Sequence, residues 1–296
     1  MQTQKSGFVA LVGRPNTGKS TLLNALVGQK VAIVSPRPQT TRNRITAILN
    51  TGDTQIVFLD TPGLHRPRTE LGDYMVRTAK ESAGQVDIVA LVVEPSAKPH
   101  PAEVELLESL RPRGAKVMLI INKIDLVKKQ SLLAVISAYS EVFPFEAVVP
   151  VSALTKDGIP ELVKAFADRM EPGPKYFPDD MLTTEPERQL VAELVREKLL
   201  YKLSDEVPHG TAVEVETFRE RAGGGLIDIS VSIYCERKSH KGIIIGKGGA
   251  MLREIASLAR ADIESLLGCR VFLQCWVKVR EDWRNNRASL RSFGYE

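Results

Sequence analysis

Cysteine is scarce in this chain: Cys235, Cys269 and Cys275 are the only three among 296 residues, and they form no Cys-x-x-Cys pair. Their odd number and their places in strand-like runs exclude a disulfide framework and favour reduced, buried thiols over metal or redox roles. Long hydrophobic runs are missing too. None approaches the roughly 18 to 20 residues that span a bilayer, and the longest candidates, such as Ile88 to Val93, read as sheet strands. The opening residues Met1 to Gly7 carry no charged-then-apolar export pattern, so the reading places the protein in the cytoplasm. Nor does one charge dominate: 40 basic residues face 36 acidic ones, and 43% hydrophobic with 26% charged content is ordinary for a globular protein. At 296 residues, two domains can each bury a core.

Charge is nevertheless uneven. Residues 1–180 hold 22 basic and 19 acidic side chains, whereas residues 236–296 hold 12 and 7. That excess points the last segment toward a polyanion, with a merely solvated basic face as the alternative. Between the halves lies a turn-rich stretch, Glu171-Pro172-Gly173-Pro174-Lys175-Tyr176-Phe177-Pro178-Asp179-Asp180. It reads as a linker, giving a first domain over 1–172, a linker over 173–184 and a second domain over 185–296.

The strongest motif is Gly13-Arg14-Pro15-Asn16-Thr17-Gly18-Lys19-Ser20, which follows the apolar run Phe8 to Val12 and precedes Thr21 to Leu26. Strand, glycine-rich turn and helix are readable in order, the context in which this P-loop pattern acquires meaning. Successive backbone N–H groups and the positive helix end converge there on one anionic site. A purely structural turn is the bland alternative. Asp60-Thr61-Pro62-Gly63 follows the β-forming run Gln55 to Leu59 and so sits at the carboxyl end of a buried parallel strand, where ligands bind in open α/β sheets. Asp60 can hold the water shell of Mg²⁺, Ser20 can ligate the metal, Lys19 can meet the β/γ-phosphates, and the Gly63 N–H can meet a γ-phosphate oxygen.

Asn122-Lys123-Ile124-Asp125 follows another core-strand run, Lys116 to Ile121. Asp125 can accept two hydrogen bonds from guanine, whereas adenine would leave the carboxylate unpaired, so the tetrapeptide selects GTP over ATP. Ser152-Ala153, after Glu146 to Val151, would offer a backbone N–H to the guanine oxygen; alone the pair says little.

The order and spacing of these four segments resemble the translation-factor-related GTPases. Gln39-Thr40-Thr41-Arg42, Asp60-Thr61-Pro62-Gly63-Leu64-His65 and the C-terminal half resemble the Era family of bacterial ribosome-assembly GTPases over nearly the whole chain. The resemblance implies an α/β fold, a doubly wound mixed sheet, joined to a smaller α+β domain. It also implies a GTP/GDP cycle with Mg²⁺, and a switch threonine closing over the metal at Thr41, with Thr40 as the alternative. The segment around 33–45 would be released on hydrolysis. Binding to the 3′ end of 16S ribosomal RNA, maturation of the small ribosomal subunit, a monomeric state and peripheral contact with the inner membrane are likewise what the resemblance implies. Thr17 departs from the family's usual valine. Leu64 stands where signalling GTPases place a water-orienting glutamine, so intrinsic turnover is expected to be slow. Asn16 resembles the asparagine by which cation-dependent relatives hold K⁺. His65 reads as a surface or partner-contacting loop residue rather than a general base.

The second half reads as a helix from Pro186 to about Leu203, then strands over Thr211–Phe218 and Gly225–Cys235. Next come Lys241-Gly242-Ile243-Ile244-Ile245-Gly246-Lys247-Gly248-Gly249, a long helix through Ile263, and a strand over Arg270–Val279. This order, with a Gly-x-x-Gly turn between helices, resembles the type II KH domain, whose loop clamps about four nucleotides of a single strand. Lys247 would add a point charge, Ile243, Ile244 and Ile245 an apolar groove, and Lys238, Lys241 and Arg253 phosphate contacts. Trp276 and Trp283 could stack on bases, but Trp276, in mid-strand, is expected to fill the core, and Trp283 likewise. Arg284, Arg287 and Arg291 extend the basic surface or form a solvated face. Two other readings stay open: an ATPase with similar loops, and a signalling or membrane switch whose second domain binds protein or lipid.

Overall fold

The computed structural model describes residues 4–295. The apolar runs that precede the sequence motifs are strands of one sheet: β1 (Lys5–Val12), β3 (Thr54–Asp60), β4 (Ile88–Val93), β5 (Val117–Ile121) and β6 (Ala147–Pro150). With β2 (Ile45–Thr51) they lie in the order β2-β3-β1-β4-β5-β6, and a two-residue strand β7 (Glu171–Pro172) pairs with β1. β2 runs antiparallel to β3, while β3, β1, β4, β5 and β6 are mutually parallel. Every residue of β4 and β5 is buried, as expected of parallel strands covered on both faces. The motifs therefore emerge at strand carboxyl ends.

Helices α1 (Lys19–Val27), α2 (Glu70–Ala83), α3 (Pro101–Leu110), α4 (Ser131–Ser140) and α5 (Ile159–Ala167) alternate with these strands. Two apolar clusters flank the sheet: Leu22, Leu23, Phe58, Leu162 and Phe166 belong to one, Leu91, Leu107, Leu119 and Val135 to the other. Each such side chain contributes roughly 1.5–3 kcal/mol by burial. α3 starts sharply because Pro101 pre-sets the helical φ and His100 accepts the Ala102 N–H (3.2 Å), with Glu103 completing a capping box.

The turn-rich stretch after β7 is fastened to the edge of this sheet. The Gln55 amide donates to Phe177 O (2.8 Å) and its oxygen accepts the N–H groups of Tyr176 (2.8 Å) and Phe177 (3.0 Å). The Ile48 N–H donates to Leu182 O (2.9 Å), and Thr183 bridges to Ala47.

The chain divides into two units, of which the second holds Glu185–Glu296 together with the segments Ile33–Thr40 and Arg68–Leu71. Its elements are α6 (Glu187–Lys202), β8 (Thr211–Glu220), β9 (Leu226–Cys235), α7 (Lys238–Ile245), α8 (Ala250–Leu267), β10 (Arg270–Val279) and a short α9 (Arg287–Ser292). The sheet order is β10-β9-β8, with β10 parallel and β8 antiparallel to β9. Val191, Leu199, Val231, Ile233, Ile255, Ile263 and Val271 belong to its core.

Trp276 overturns the expectation that it fills that core: it is 57% exposed. β10 turns Val271 and Val277 inward, and Trp276 shares the opposite face with Phe272, Gln274 and Lys278. Trp283 does behave as expected, wholly buried with its indole N–H donating to Gly210 O (2.9 Å). Cys235 is buried, Cys269 and Cys275 are half-buried, and all three are free thiols. Burial pushes Cys235 up and Cys275 up to about 12. No helix among the described residues is long and apolar enough to cross a membrane.

Candidate functional site: a nucleotide pocket and a nucleic-acid loop

The loop between β1 and α1 wraps around the ammonium of Lys19. Lys19 Nζ donates to Gly13 O (3.0 Å) and Arg14 O (2.9 Å), two carbonyls that hold it within the loop. Burial lowers its pKa to about 8, against the pull of the nearby Asp60 carboxylate. Thr17 Oγ1 also donates to Arg14 O (3.0 Å), so the residue that departs from the usual valine adds a strut inside the loop. Gly18 carries φ +91°, and a Cβ there would fall 2.3 Å from the Asn122 amide nitrogen; glycine is what lets the two loops touch. Pro15 is half-buried, and Asn16 is exposed in left-handed backbone with φ 65°.

Asp60, 0% exposed at the end of β3, accepts from Ser20 Oγ (2.7 Å) and Thr41 Oγ1 (3.2 Å) through Oδ2, and the two hydroxyls stand 2.7 Å apart. Its other oxygen, Oδ1, is buried with no hydrogen-bond partner among the described residues. Burial raises the Asp60 pKa, while Lys19 and the two hydroxyls favour its charged form. The structure thus brings together all three residues expected at a metal. Thr40 is elsewhere, its hydroxyl donating to Arg37 O (2.7 Å). A carboxylate with an orphaned oxygen beside two hydroxyls fits a hard, oxygen-seeking cation such as Mg²⁺. No group of three His, Cys, Asp or Glu suited to a metal occurs among the described residues, so phosphate and water oxygens would complete the set.

Thr61 and Pro62 are buried, and Thr61 Oγ1 donates to Leu11 O (2.8 Å). The Leu64 N–H donates to Gly13 O (3.0 Å), drawing the Gly63 turn onto the phosphate loop. The Leu64 side chain is buried in the sheet-face cluster, which leaves no polar group at that position. His65 Nδ1 lies 2.8 Å from Gly63 O.

At the end of β5, Asn122 ties three segments together. Its amide donates to Thr17 O (2.9 Å) and its oxygen accepts the Ala153 N–H (3.0 Å). Ser152 Oγ donates to Asp125 Oδ1 (2.5 Å), orienting an exposed carboxylate. Lys123, in left-handed backbone (φ 65°), and Ile124 are half-buried between them. Sequence reasoning missed two supports. Asn24 in α1 fixes the chain after it, accepting from Val31 N–H and Ala32 N–H (3.0 Å each). Glu103 lies wholly buried beside Arg14. Its signal was the spacing Glu103, Leu106, Leu107, Leu110, which puts an acid on the apolar face of α3.

In the second unit, α7 and α8 meet at Gly246-Lys247-Gly248-Gly249. Gly246 has φ +72°, and a Cβ there would lie 2.7 Å from Met251 Cβ, so the turn is closed only by glycine. Lys238, Lys247, Arg253 and Gly248 are exposed, as is Gly242; Lys241 and Gly249 are half-buried. Ile243 is 50% exposed, Ile245 half-buried, and Ile244 wholly buried in the core. Only Ile243 and Ile245 can thus line a groove, with Ile244 beneath it. By contrast Arg284 is committed to Glu236 by two bonds (2.9 and 2.6 Å).

A sheet domain whose loops suit a guanine nucleotide, followed by a KH domain, defines a class: GTPases that carry a nucleic-acid-binding module. Comparisons agree. A family model described as 50S ribosome-binding GTPase matches residues 8–123, and a KH domain model matches residues 206–284. The chain is 50% identical to the GTPase Era of Ruminiclostridium cellulolyticum over 292 residues, covering 99% of this chain and 98% of that protein. It is 51% identical to that of Geotalea uraniireducens over 292 residues, 99% and 98% of the two chains. Among solved structures, Era in complex with MgGDPNP and nucleotides 1506–1542 of 16S ribosomal RNA superposes with a TM-score of 0.95 at 39% identity, covering 99% of each chain. An Aquifex aeolicus Era variant bound to GDP·AlF4⁻ gives the same values. The chain belongs to the Era family of GTPases.

Proposed function

We propose that this GTPase is a switch that binds and hydrolyses GTP in the first unit and holds the 3′ region of 16S ribosomal RNA with its KH domain, acting in processing of that RNA and biogenesis of the small ribosomal subunit. The observation that carries the nucleotide half is the meeting of Ser20, Thr41 and the orphaned Asp60 oxygen beside Lys19. The relative solved with MgGDPNP and 16S RNA supports the RNA half.

Within the pocket, Lys19 exchanges its two loop carbonyls for phosphate oxygens, and burial makes that charge count for more than it would in water. The amides of residues 13–20 grip the phosphates, Asp125 and the Ala153 N–H read guanine, and the Gly63 turn meets the terminal phosphate. Ser20, Thr41 and Asp60 would hold Mg²⁺, which when bound neutralises charge on the β- and γ-phosphates. Asn16, exposed at the loop tip, would hold K⁺ in place of an arginine finger. Equal turnover in K⁺ and Na⁺ would dismiss that role. Lys247 at the loop and the start of α8 would face RNA phosphates, with Lys238, Lys241 and Arg253 nearby in sequence. We read the protein as a monomer of the cytoplasm, with peripheral contact at the inner face of the membrane.

The test is a GTP turnover assay on the full chain with and without an RNA of the 3′ end of 16S ribosomal RNA. Hydrolysis of GTP but not ATP, with tight retention of that RNA and not of a scrambled one, is expected. Retention of protein or lipid partners with no RNA affinity would instead favour a signalling or membrane switch.

A further inference from the structure

Glu103 belongs to no motif, yet it is 0% exposed and sits against the phosphate loop. Its Oε1 accepts from Arg14 Nε (2.9 Å), and its Oε2 accepts from the Tyr139 hydroxyl (2.6 Å) and the His100 N–H (3.0 Å). Arg14 also faces Glu94, with Nη2 3.8 Å from Oε2, and the other Glu94 oxygen lies 2.5 Å from Lys123 Nζ. A continuous line of contacts therefore runs from Tyr139 in α4 through Glu103, Arg14 and Glu94 to Lys123. It joins the loop that grips phosphate to the loop that reads guanine.

Stability alone accounts poorly for this arrangement, because apolar residues of similar volume commonly replace a buried ion pair without loss. The backbone of Arg14 suggests another role. Its carbonyl is one of the two that hold Lys19 and is also the acceptor for Thr17. Seating the guanidinium fixes that carbonyl. The same seating matches Arg14 and Lys123 with two carboxylates, so neither cation is left to compete with Lys19 for the phosphates.

We propose that Glu103 and Glu94 are positioning residues for nucleotide binding, bracing the phosphate loop at Arg14 against the guanine loop at Lys123. Asn122 supplies one tie between these loops, and the charged line supplies a second on the side of α3.

Release of a fluorescent GDP analogue from the full chain, chased with excess GDP, tests this. Glu103→Gln should release about tenfold faster, equivalent to about 1.4 kcal/mol. Tyr139→Phe removes a partner of Glu103 without touching Arg14, so it should lower the melting temperature and leave release near the wild-type rate. Glu103→Gln added to Arg14→Gln should release no faster than Arg14→Gln alone, as expected if Glu103 acts only through Arg14. Glu94→Gln, at a part-exposed position where folding is not at stake, should also accelerate release. The proposal is overturned if Glu103→Gln and Glu94→Gln both release at the wild-type rate, if Tyr139→Phe accelerates release as much as Glu103→Gln, or if the Arg14 and Glu103 effects multiply.

Discussion

Ser20 Oγ lies 2.7 Å from Asp60 Oδ2, across 40 residues of sequence. That contact joins the start of α1 to the end of β3 and commits one carboxylate oxygen, leaving Oδ1 buried and without a partner among the described residues. Two hydroxyls and an orphaned carboxylate oxygen suit a hard cation, which makes metal dependence the first expectation. Stripping Mg²⁺ with a chelator should speed GDP release from the wild-type chain. In Asp60→Ala the difference between chelated and Mg²⁺-containing buffer should shrink by about ten- to a hundredfold. Release rates with and without chelator measure it, and an undiminished Mg²⁺ effect in Asp60→Ala would remove Asp60 from the metal.

The proposed base selection would rest on Asp125, whose Oδ1 takes the Ser152 hydroxyl at 2.5 Å. Asp125→Asn should weaken GTP by about a hundredfold or more, since a buried donor pair on guanine then meets an amide. Xanthosine nucleotides should regain affinity in the same variant. Competition binding with both triphosphates reads this, and unaltered GTP affinity would refute the role given to Asp125.

For RNA, the double variant Lys247→Asp with Gly248→Asp places two negative charges at the exposed tip of the turn between α7 and α8. Binding of a 16S 3′-end RNA should be lost and GTP affinity kept. In the wild-type chain, RNA affinity should fall steeply with ionic strength, as phosphate neutralisation requires. Retained RNA binding by the double variant would show that the loop is not the contact.

The two tryptophans should differ sharply. Trp283→Ala removes a wholly buried indole and its bond to Gly210 O and is expected to cost about 3–5 kcal/mol, whereas Trp276→Ala, at an exposed position, should stay within about 0.5 kcal/mol. Urea unfolding of both variants decides it.

Thiol chemistry offers an independent check on burial. Desolvation holds Cys275 up to about 12 and raises Cys235 as well. At pH 8, well below 12, a Cys275 thiolate fraction near one in ten thousand is expected. A disulfide reagent should therefore modify Cys269 first and reach all three only in denaturant. Fast reaction of Cys275 in the native protein would contradict the packing of β10.

Much of the fold was legible because periodicity was strong. The helix expected from Pro186 to about Leu203 is found at Glu187–Lys202, and the strand expected at Arg270–Val279 has those bounds. The KH order of elements was likewise readable from alternation and the Gly-x-x-Gly turn, whereas the mixed sheet came only from the family resemblance, since its antiparallel strand β2 was not picked out by pattern. Trp276 was misjudged because alternation separates the two faces of a strand without saying which is inward. The answer lay in its companions: Lys278 and Gln274 share its face, and Val271 and Val277 share the other. The contacts of Glu103 and Gln55 were not legible, since a long-range hydrogen bond leaves no local pattern; for Glu103 the spacing showed only an acid on the apolar face of α3. Asp60 and Ser20 were legible at a metal from the strand end and the phosphate loop, while Thr41 joined them only through the family resemblance that nominated a switch threonine.

The most direct test is a calorimetric titration of the full chain with GDP and a non-hydrolysable GTP analogue, Mg²⁺ present. One-to-one binding of both, with no comparable heat from the adenine analogues, is the expected result. Absence of heat with every guanine nucleotide would contradict the account at its base.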